Sequence, residues 1–278
     1  MITPLIPYAA ALTKTQKIRT LVVADLHIGW EIALIKKGIH VPTQMPKLLQ
    51  KMRDLLSTYK PKKLLILGDV KHTVATAQTG EWQDVPEFFN KLRERINEIC
   101  IIRGNHDGNL EPLLPENVKI LSSTGLIEGK VGFFHGHRWP SPTLLKCKTL
   151  IMGHVHPMVA FRDPAGFRIT RQVWVKAKCD GIKLAETLLQ RNKIKIEESA
   201  EEALRKHYGI KLETSQLFIM PSFNGFLGGR PLNKTKAGES TRIVGPVLRS
   251  EAVDMENAEI YLLDGTFLGP LNKLRTLS

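Results

Sequence analysis

The sequence predicts an α/β fold, in which buried parallel strands alternate with helices and antiparallel strands follow. Three short apolar runs, Thr20–Ala24, Lys63–Leu67 and Ile99–Ile102, each break at a polar or glycine-containing cluster, as buried strands do. Helical patterns lie between these runs. Alternation of strand, helix and strand is typical of βαβ units, and it therefore predicts a largely parallel sheet.

Two amphipathic helices are predicted between the strands. Apolar residues spaced three and four apart run from Met45 to Leu56 and from Trp82 to Ile96. We expect Asp84 to be the N-cap of the second helix, because Pro86 follows it closely. Apolar stripes with this spacing face a core, so neither stripe is interpreted as a cofactor site.

Antiparallel strands are predicted in the second half of the chain. Turn residues divide Leu126–Phe134 and Met158–Val175 into two hairpins, and further strands are expected at Leu217–Met220 and Glu259–Leu263. Strands of this kind favour a second sheet packed on the first.

A single domain is predicted for residues 1–278. The chain has 278 residues, of which 42% are hydrophobic and 24% charged, as in ordinary globular proteins. Residues 181–212 carry a mixed-charge helical pattern, and we expect a helical insertion or cap there. Residues 213–278 are expected to complete the sheets.

We expect a cytoplasmic protein with no membrane span. No apolar run reaches the roughly 18 residues that a transmembrane helix needs. The first residues place no basic region ahead of an apolar one, as a signal peptide would. The three cysteines are scattered and are interpreted as buried thiols in a reducing compartment.

The net charge of the chain is strongly positive. At +13, with an isoelectric point near 9.7, the surface favours polyanions, and nucleic acid is the first candidate. The alternative is a basic cytosolic protein with the Lys/Glu enrichment that is typical of thermophiles. Charge alone does not decide between them.

Five short polar clusters, each following an apolar run, carry the predicted chemistry. They are Asp25-Leu26-His27, Gly68-Asp69, Gly104-Asn105-His106-Asp107, His135-Gly136-His137 and Gly153-His154-Val155-His156. Ligands of α/β sheets bind outside the carboxyl ends of parallel strands. The clusters therefore predict one site built from several strand ends.

The residue types in these clusters predict two metal ions. Carboxylate, amide and imidazole donors suit Mn, Fe or Zn, whereas Ca²⁺ prefers oxygen alone and a thiolate zinc site needs cysteines. A carboxylate can bridge two cations, and Asp69 is the best candidate because it stands alone after Gly68. Two metals about 3.5–4 Å apart can activate water for an in-line displacement at phosphorus.

His106 is predicted to act on the substrate. It adjoins Asn105, so the two side chains cannot easily face the same metal. His106 can instead contact the phosphate or protonate the leaving oxygen, with Asp107 orienting its imidazole.

The order of the clusters resembles the calcineurin-like metallophosphoesterase superfamily, whose pattern is D-x-H, GD, GNH[DE], H and GHxH. Every element is present within about residues 18–175. The resemblance implies a four-layer α/β/β/α sandwich of two mixed sheets with a dinuclear centre at one end. It implies Asp69 as the bridge, His106 as the catalytic histidine, and two ligand sets: Asp25, His27 and His156, then Asn105, His135 and His154. His135 is preferred to His137 as a ligand because it directly ends an apolar strand.

A narrower resemblance links the chain to the SbcD-related archaeal phosphoesterases and to the bacterial PdeM group, which is found with DNA-repair ligases and helicases. It is carried by Asp25–Glu31, Gly68–His72 and Pro221–Gly229, with Trp30 in place of the expected tyrosine. This resemblance implies a manganese-dependent nuclease acting on single-stranded DNA, with a repair helicase or ligase as partner. Fe, Zn, Ni and Co are the alternative metals.

Residues that flank the clusters are candidates for substrate binding. They are Lys71, His72, Arg103, His137 and Arg138, each with a solvated or salt-bridged alternative. The leading hypothesis is a phosphodiesterase that cleaves single-stranded DNA. The alternatives are a small-molecule phosphoesterase acting on nucleotides or phosphomonoesters, and a non-catalytic nucleic-acid-binding protein.

Overall fold

The computed structural model describes residues 2–15, 18–163, 165–229, 231–234 and 245–276. Pro164 of the predicted turn between the strands of the second hairpin lies outside the described residues. So do residues 230, 235–244 and 277–278 of the predicted C-terminal segment.

The first sheet has six strands that lie side by side in chain order. They are β1 (Ile2–Pro4), β2 (Ala11–Thr15), β3 (Ile18–Val23), β4 (Lys63–Ile66), β5 (Glu98–Ile102) and β6 (Val118–Leu121). Strands β3 to β6 are parallel, which confirms the predicted parallel arrangement. The carboxyl ends of β3, β4 and β5 therefore meet at one edge of the sheet.

The second sheet is mixed and has eight strands. They are β7 (Leu126–Glu128), β8 (Val131–Phe134), β9 (Thr149–Met152), β10 (Met158–Arg162), β11 (Arg168–Cys179), β12 (Gln216–Ile219), β13 (Val253–Leu262) and β14 (Phe267–Pro270). The order is β14-β13-β11-β12-β9-β8-β7, with β10 paired to β11. Both predicted hairpins are confirmed, although β11 continues beyond the predicted end at Val175.

Seven α-helices are found in the described residues. They are α1 (Ile32–Ile35), α2 (Met45–Tyr59), α3 (Thr79–Arg93), α4 (Gly181–Arg191), α5 (Ala200–Tyr208), α6 (Pro246–Arg249) and α7 (Leu271–Thr276). None of the helices that the structure describes has the length and hydropathy needed to cross a membrane.

Helix α3 begins earlier than the sequence predicts. Gln78 is its N-cap, and Gln78 and Glu81 form a capping box that satisfies backbone groups of the first turn. Asp84 therefore lies inside the helix, where its carboxylate accepts a hydrogen bond of 2.6 Å from the Thr43 hydroxyl. The prediction of Asp84 as N-cap is wrong because the capping box starts the helix first and Pro86 is accommodated in the interior.

The two sheets stack face to face between two helical layers. Val22 and Leu65 of the first sheet meet Phe133 and Ile151 of the second in a buried core. The outer face of the first sheet packs against the apolar stripes of α2 and α3. The outer face of the second sheet packs against α4 and α5. This is the predicted α/β/β/α sandwich.

Residues 181–212 contribute α4 and α5 to an outer layer of the sandwich. Leu184, Leu188 and Leu204 are buried and pack with the second sheet in one core cluster. Burial of this stripe ties both helices to the sheet, since each buried leucine contributes about 1.5–3 kcal/mol. The division of the chain into domains stays a prediction.

Candidate metal centre

The polar clusters converge where the parallel strands of both sheets end. Two groups of side chains each bring three ligand atoms within 4.8 Å of one another: Asp25 with His27 and His156, and Asp69 with His135 and His154. The first sheet supplies Asp25, His27 and Asp69, and the second supplies the other three. The site therefore lies at the end of the sandwich where strands of both sheets terminate.

The first group contains imidazole nitrogens that lack a hydrogen-bond partner. His156 Nε2 lies 3.5 Å from Asp25 Oδ1. Among the described residues, His156 Nε2 and His27 Nε2 are buried without a hydrogen-bond partner. Buried polar atoms are normally satisfied, so a cation between these nitrogens and the carboxylate would fit the donor set.

The second group is centred on His135. Its Nε2 lies 3.1 Å from His154 Nδ1 and 3.1 Å from Asn105 Oδ1. Ligands held about 2.0–2.2 Å from one metal lie roughly 3–3.5 Å from each other, so these spacings match a shared ion. His135 Nδ1 lies 2.6 Å from the Leu67 carbonyl oxygen, which fixes that nitrogen as the donor and leaves Nε2 for a metal.

Asp69 lies between the two groups. Its Oδ2 atom is 3.5 Å from His27 Nε2 and 3.4 Å from His135 Nε2. Its Oδ1 atom accepts a hydrogen bond of 2.8 Å from the backbone N–H of His106. One oxygen therefore faces both ligand groups, as a bridging carboxylate would.

The backbone is strained where it presents these ligands. Positive φ angles between 42° and 70° occur at five of them: Asp25, His27, Asp69, His154 and His156. Non-glycine residues in the left-handed region cost of order 1–3 kcal/mol each and persist where the surroundings hold them. All five residues lie in the loops that follow the strand ends, within the two ligand groups.

Two glycines allow the loops to approach. A Cβ atom on Gly104 would lie 2.2 Å from Asp69 Oδ1, and a Cβ atom on Gly68 would lie 2.6 Å from His135 Nδ1. Gly68 also has a φ of +77°, which L-residues rarely adopt. A side chain at Gly104 would therefore displace Asp69, and a side chain at Gly68 would displace His135.

Electrostatics prepares the site for cations. Burial lowers the pKa of His27 to about 3 and that of His154 to about 4, so both imidazoles are neutral at pH 7. Burial alone would raise the pKa of Asp69, but His135 and His27 outweigh it and hold that pKa well below its usual range. Against the effect of burial, Asp69 and Asp25 raise the pKa of His135 to about 9, so this imidazole has to lose a proton before it can bind a metal.

His106 borders the centre. Its ring centroid is 4.7 Å from that of His27, and its Nδ1 contacts the carbonyl oxygen of His72. His72 is half-buried, and its Nδ1 lies 3.3 Å from His27 Nδ1. His27, His72 and His106 form a third group that can hold an ion.

The predicted contact between Asp107 and the His106 imidazole is wrong. The buried Asp107 carboxylate accepts hydrogen bonds from the backbone N–H groups of Asp69 at 2.9 Å, Val70 at 2.8 Å and Gly104 at 2.7 Å. A buried carboxylate needs such donors, and the two neighbouring loops supply them. Asp107 therefore ties the Asp69 loop to the Gly104 loop, while the His72 carbonyl orients His106.

Two flanking cations do not face the centre. Lys71 is fully buried, and its ammonium donates to the carbonyl oxygens of Thr73 and Val74. Arg103 donates to the Asp107 carbonyl oxygen at 3.1 Å and pairs with Glu111. The expectation that these side chains contact substrate is therefore not supported by their hydrogen bonds, which hold loops in place.

The remaining flanking residues differ in position. Arg138 is exposed. The His137 ring centroid lies 5.2 Å from that of His135, and His137 belongs to none of the three ligand groups of the described residues. Burial lowers the pKa of His137 to about 4. This geometry favours His135 as the ligand.

Sequence reasoning missed two supports of the site. Glu81 is fully buried and accepts hydrogen bonds from the backbone N–H groups of His72 at 2.9 Å and Thr73 at 2.8 Å. Ser222 Oγ donates to the Asp25 carbonyl oxygen at 3.0 Å, and Asn224 donates to that of Leu26 at 3.0 Å. The capping-box position of Glu81 is a sequence signal that could have indicated its burial.

Comparison with known proteins identifies the class. The family model for calcineurin-like phosphoesterases matches residues 18–163, slightly more than half of the chain. The chain therefore belongs to this family, whose members are metal-dependent phosphoester hydrolases. The comparison with curated protein sequences gives no match.

Two solved structures are similar to this chain to different extents. The crystal structure of Pseudomonas putida nuclease MPE is 20% identical, covers 95% of this chain and 98% of its own, and has a TM-score of 0.51. The phosphoesterase YfcE from E. coli is 20% identical over 52% of this chain and 73% of its own, with a TM-score of 0.33. The likeness to the first structure extends over almost the full length of both chains and shows a common fold.

Proposed function

We propose that this protein is a phosphodiesterase that uses two divalent cations to hydrolyse single-stranded DNA. The observation that carries the proposal is the position of Asp69 Oδ2, 3.5 Å from His27 Nε2 and 3.4 Å from His135 Nε2. Two bound cations supply the Lewis acidity that generates a nucleophile from water near neutral pH and neutralises the phosphoryl oxygens. Mn²⁺ is the proposed metal, with Fe, Zn, Ni and Co as alternatives for the same donors.

His106 is the proposed general acid. Water loses a proton to solvent, and the resulting hydroxide oxygen forms a bond to phosphorus while the bond from phosphorus to the leaving oxygen breaks. The leaving oxygen takes a proton from His106, and solvent then returns a proton to His106. The His72 carbonyl contacts His106 Nδ1 and fixes the orientation of the ring beside His27. Asp107 acts indirectly, because it holds together the two loops that carry Asp69 and His106.

A polyanionic substrate is supported by charge. The net charge of +13 favours association with nucleic acid, and each contacted phosphate releases counterions. The solved structure that shares the fold over almost its whole length is that of a nuclease. A cytoplasmic location and a DNA-repair helicase or ligase as partner are part of this proposal.

A substrate panel tests the proposed function. Chelator-treated protein is loaded with Mn²⁺ and incubated with labelled single-stranded DNA, bis-p-nitrophenyl phosphate and p-nitrophenyl phosphate. We expect cleavage of the DNA and of the small diester, and a loss of at least about 100-fold in the His106→Ala variant, the range of one general acid. His207→Ala, at an exposed position, is the matched control. Cleavage of the monoester alone would contradict the proposal.

A further inference from the structure

A cleft opens beside the proposed general acid. It has a volume of about 470 Å³ and is lined on one side by Ile32, Ala33 and Lys36, at and just after α1. The loop 73–76, Gln78, His72 and His106 complete the lining. The two histidines are half-buried, whereas Lys36 and Val74 are exposed. Ligand pockets of this size, about 300–1,000 Å³, hold groups as large as a nucleotide.

Two buried side chains hold the backbone of the loop 73–76 in place. Buried Glu81 accepts hydrogen bonds from the N–H groups of His72, Thr73 and Gln78 at 2.8–2.9 Å. Buried Lys71 donates to the carbonyl oxygens of Thr73 and Val74. A loop whose backbone groups are satisfied by buried side chains presents a preformed wall.

The chemistry of the lining suits a nucleoside followed by a phosphate. Val74 is 56% exposed and offers an apolar surface. The described lining contains no carboxylate, and Lys36 forms no salt bridge with any residue that the structure describes. An unpaired exposed ammonium next to an apolar wall complements a base or sugar and the phosphate attached to it.

We propose that this cleft receives the nucleoside on the leaving side of the scissile phosphate, and that Lys36 contacts the next phosphate of that strand. The proposal rests on the proposed function, since His106 must face the leaving oxygen. Water loses a proton to solvent and supplies the oxygen that bonds to phosphorus. The nucleoside in the cleft departs with its oxygen protonated by His106, which regains a proton from solvent. Bound product would then fill the cleft from the His106 end towards Lys36.

The Lys36→Ala variant tests the phosphate contact. Lys37→Ala is the matched control, because Lys37 is also exposed and lies outside the cleft. We expect Lys36→Ala to lower the ratio of single-stranded DNA cleavage to bis-p-nitrophenyl phosphate cleavage by about fivefold, the upper range for one solvent-exposed ion contact. The slope of log kcat/KM for DNA against log salt should become shallower by about 0.7, the value for one phosphate on a single strand.

A second pair of variants tests the apolar wall. Val74→Glu places a negative charge at the rim of the cleft, and Ile39→Glu places the same charge at another exposed apolar position, 52% exposed, outside it. Both positions are exposed, so neither substitution disturbs the core. We expect Val74→Glu to raise KM for DNA at least about fivefold more than Ile39→Glu does.

The outcomes separate the two proposals. Suppose that the wild-type protein cleaves DNA, that Lys36→Ala and Lys37→Ala have the same salt slope, and that Val74→Glu and Ile39→Glu have the same KM for DNA. The cleft assignment is then overturned, and the nuclease function stands. If the wild-type protein cleaves neither DNA nor the small diester, the proposed function fails and the cleft assignment fails with it.

Discussion

Asp69 Oδ2 lies 3.4 Å from the one ring nitrogen of His135 that the Leu67 carbonyl leaves open. The same oxygen also faces His27 at 3.5 Å, so one carboxylate oxygen joins the two candidate ligand groups. A single-metal site would need Asp69 for only one group. The relationship therefore makes Asp69 the residue on which a paired centre depends.

Asp69→Asn should remove the pairing of the metals. The amide keeps the size of the side chain and can still accept from the His106 N–H, but it loses the charge that a bridge between two cations requires. We expect bound Mn²⁺ to fall from two equivalents to one or fewer. DNA cleavage should fall more than about 100-fold, which exceeds the loss expected when a residue that only hydrogen-bonds to a metal ligand is replaced. Elemental analysis after dialysis measures the occupancy. Two retained equivalents would show that Asp69 is not the bridge.

Metal binding should release a proton from His135. Burial alone would lower the pKa of this imidazole, but Asp69 and Asp25 outweigh burial and raise that pKa to about 9 in the metal-free protein. The cationic form dominates below pH 9, and a metal needs the neutral form. The apparent affinity for Mn²⁺ should therefore rise about tenfold per pH unit between pH 6 and 8.

Calorimetry in buffers with different ionisation enthalpies measures the proton released by His135, together with any from His156, whose pKa Asp25 also raises against the effect of burial. Burial lowers the pKa values of His27 to about 3 and of His154 to about 4, so these two imidazoles release none in the same window. A binding enthalpy that does not vary with the buffer would contradict the predicted protonation of His135.

Asp107→Asn should lower stability and leave the contact between His106 Nδ1 and the His72 carbonyl in place. The carboxylate accepts from three backbone N–H groups, and an amide oxygen cannot replace both of its oxygens. Buried donors left without acceptors cost about 1–3 kcal/mol, so urea unfolding should show a loss of that size. The exposed Asp54→Asn substitution is the control.

The pH profile distinguishes this role from an orienting one. If Asp107 contacted the His106 ring in the working enzyme, its substitution would shift the limb of the kcat profile that reports the general acid. We expect that limb to stay in place in Asp107→Asn, because the His72 carbonyl contacts His106 Nδ1.

Lys71→Met should loosen the cleft without changing the number of phosphate contacts. The Lys71 ammonium is buried against the carbonyl oxygens of Thr73 and Val74, so its loss leaves those acceptors unpaired. Amide hydrogen exchange in residues 72–76 should accelerate. The salt slope of DNA cleavage should remain that of the wild-type protein. A slope shallower by about 0.7 would instead show that Lys71 contacts a phosphate of the substrate.

The sequence predicts the parallel arrangement of the first buried strands and the convergence of the ligands. Apolar runs that end at Asp25, Asp69 and Asn105 place these residues at the carboxyl edge of a parallel sheet, and the parallel pairing of β3, β4 and β5 puts them there. Local patterns are sufficient because strand direction and strand end fix the position of the backbone.

The directions of long side chains are not predictable in the same way. Lys71 and Arg103 are close to candidate ligands in the sequence. In the structure, however, the Lys71 ammonium donates to a loop carbonyl and Arg103 pairs with Glu111. Asp107 adjoins His106 in the chain, yet three backbone donors from two loops surround its carboxylate. Tertiary contacts determine these partners, and the local spacing of residues in the sequence does not predict them.

Electron paramagnetic resonance of the protein loaded with two equivalents of Mn²⁺ tests the paired centre most directly. With Asp69 between the two ligand groups, we expect an exchange-coupled spectrum of a manganese pair and DNA cleavage that reaches its maximum at the second equivalent. A spectrum of isolated Mn²⁺ ions, with full cleavage at one equivalent, would contradict the two-metal site.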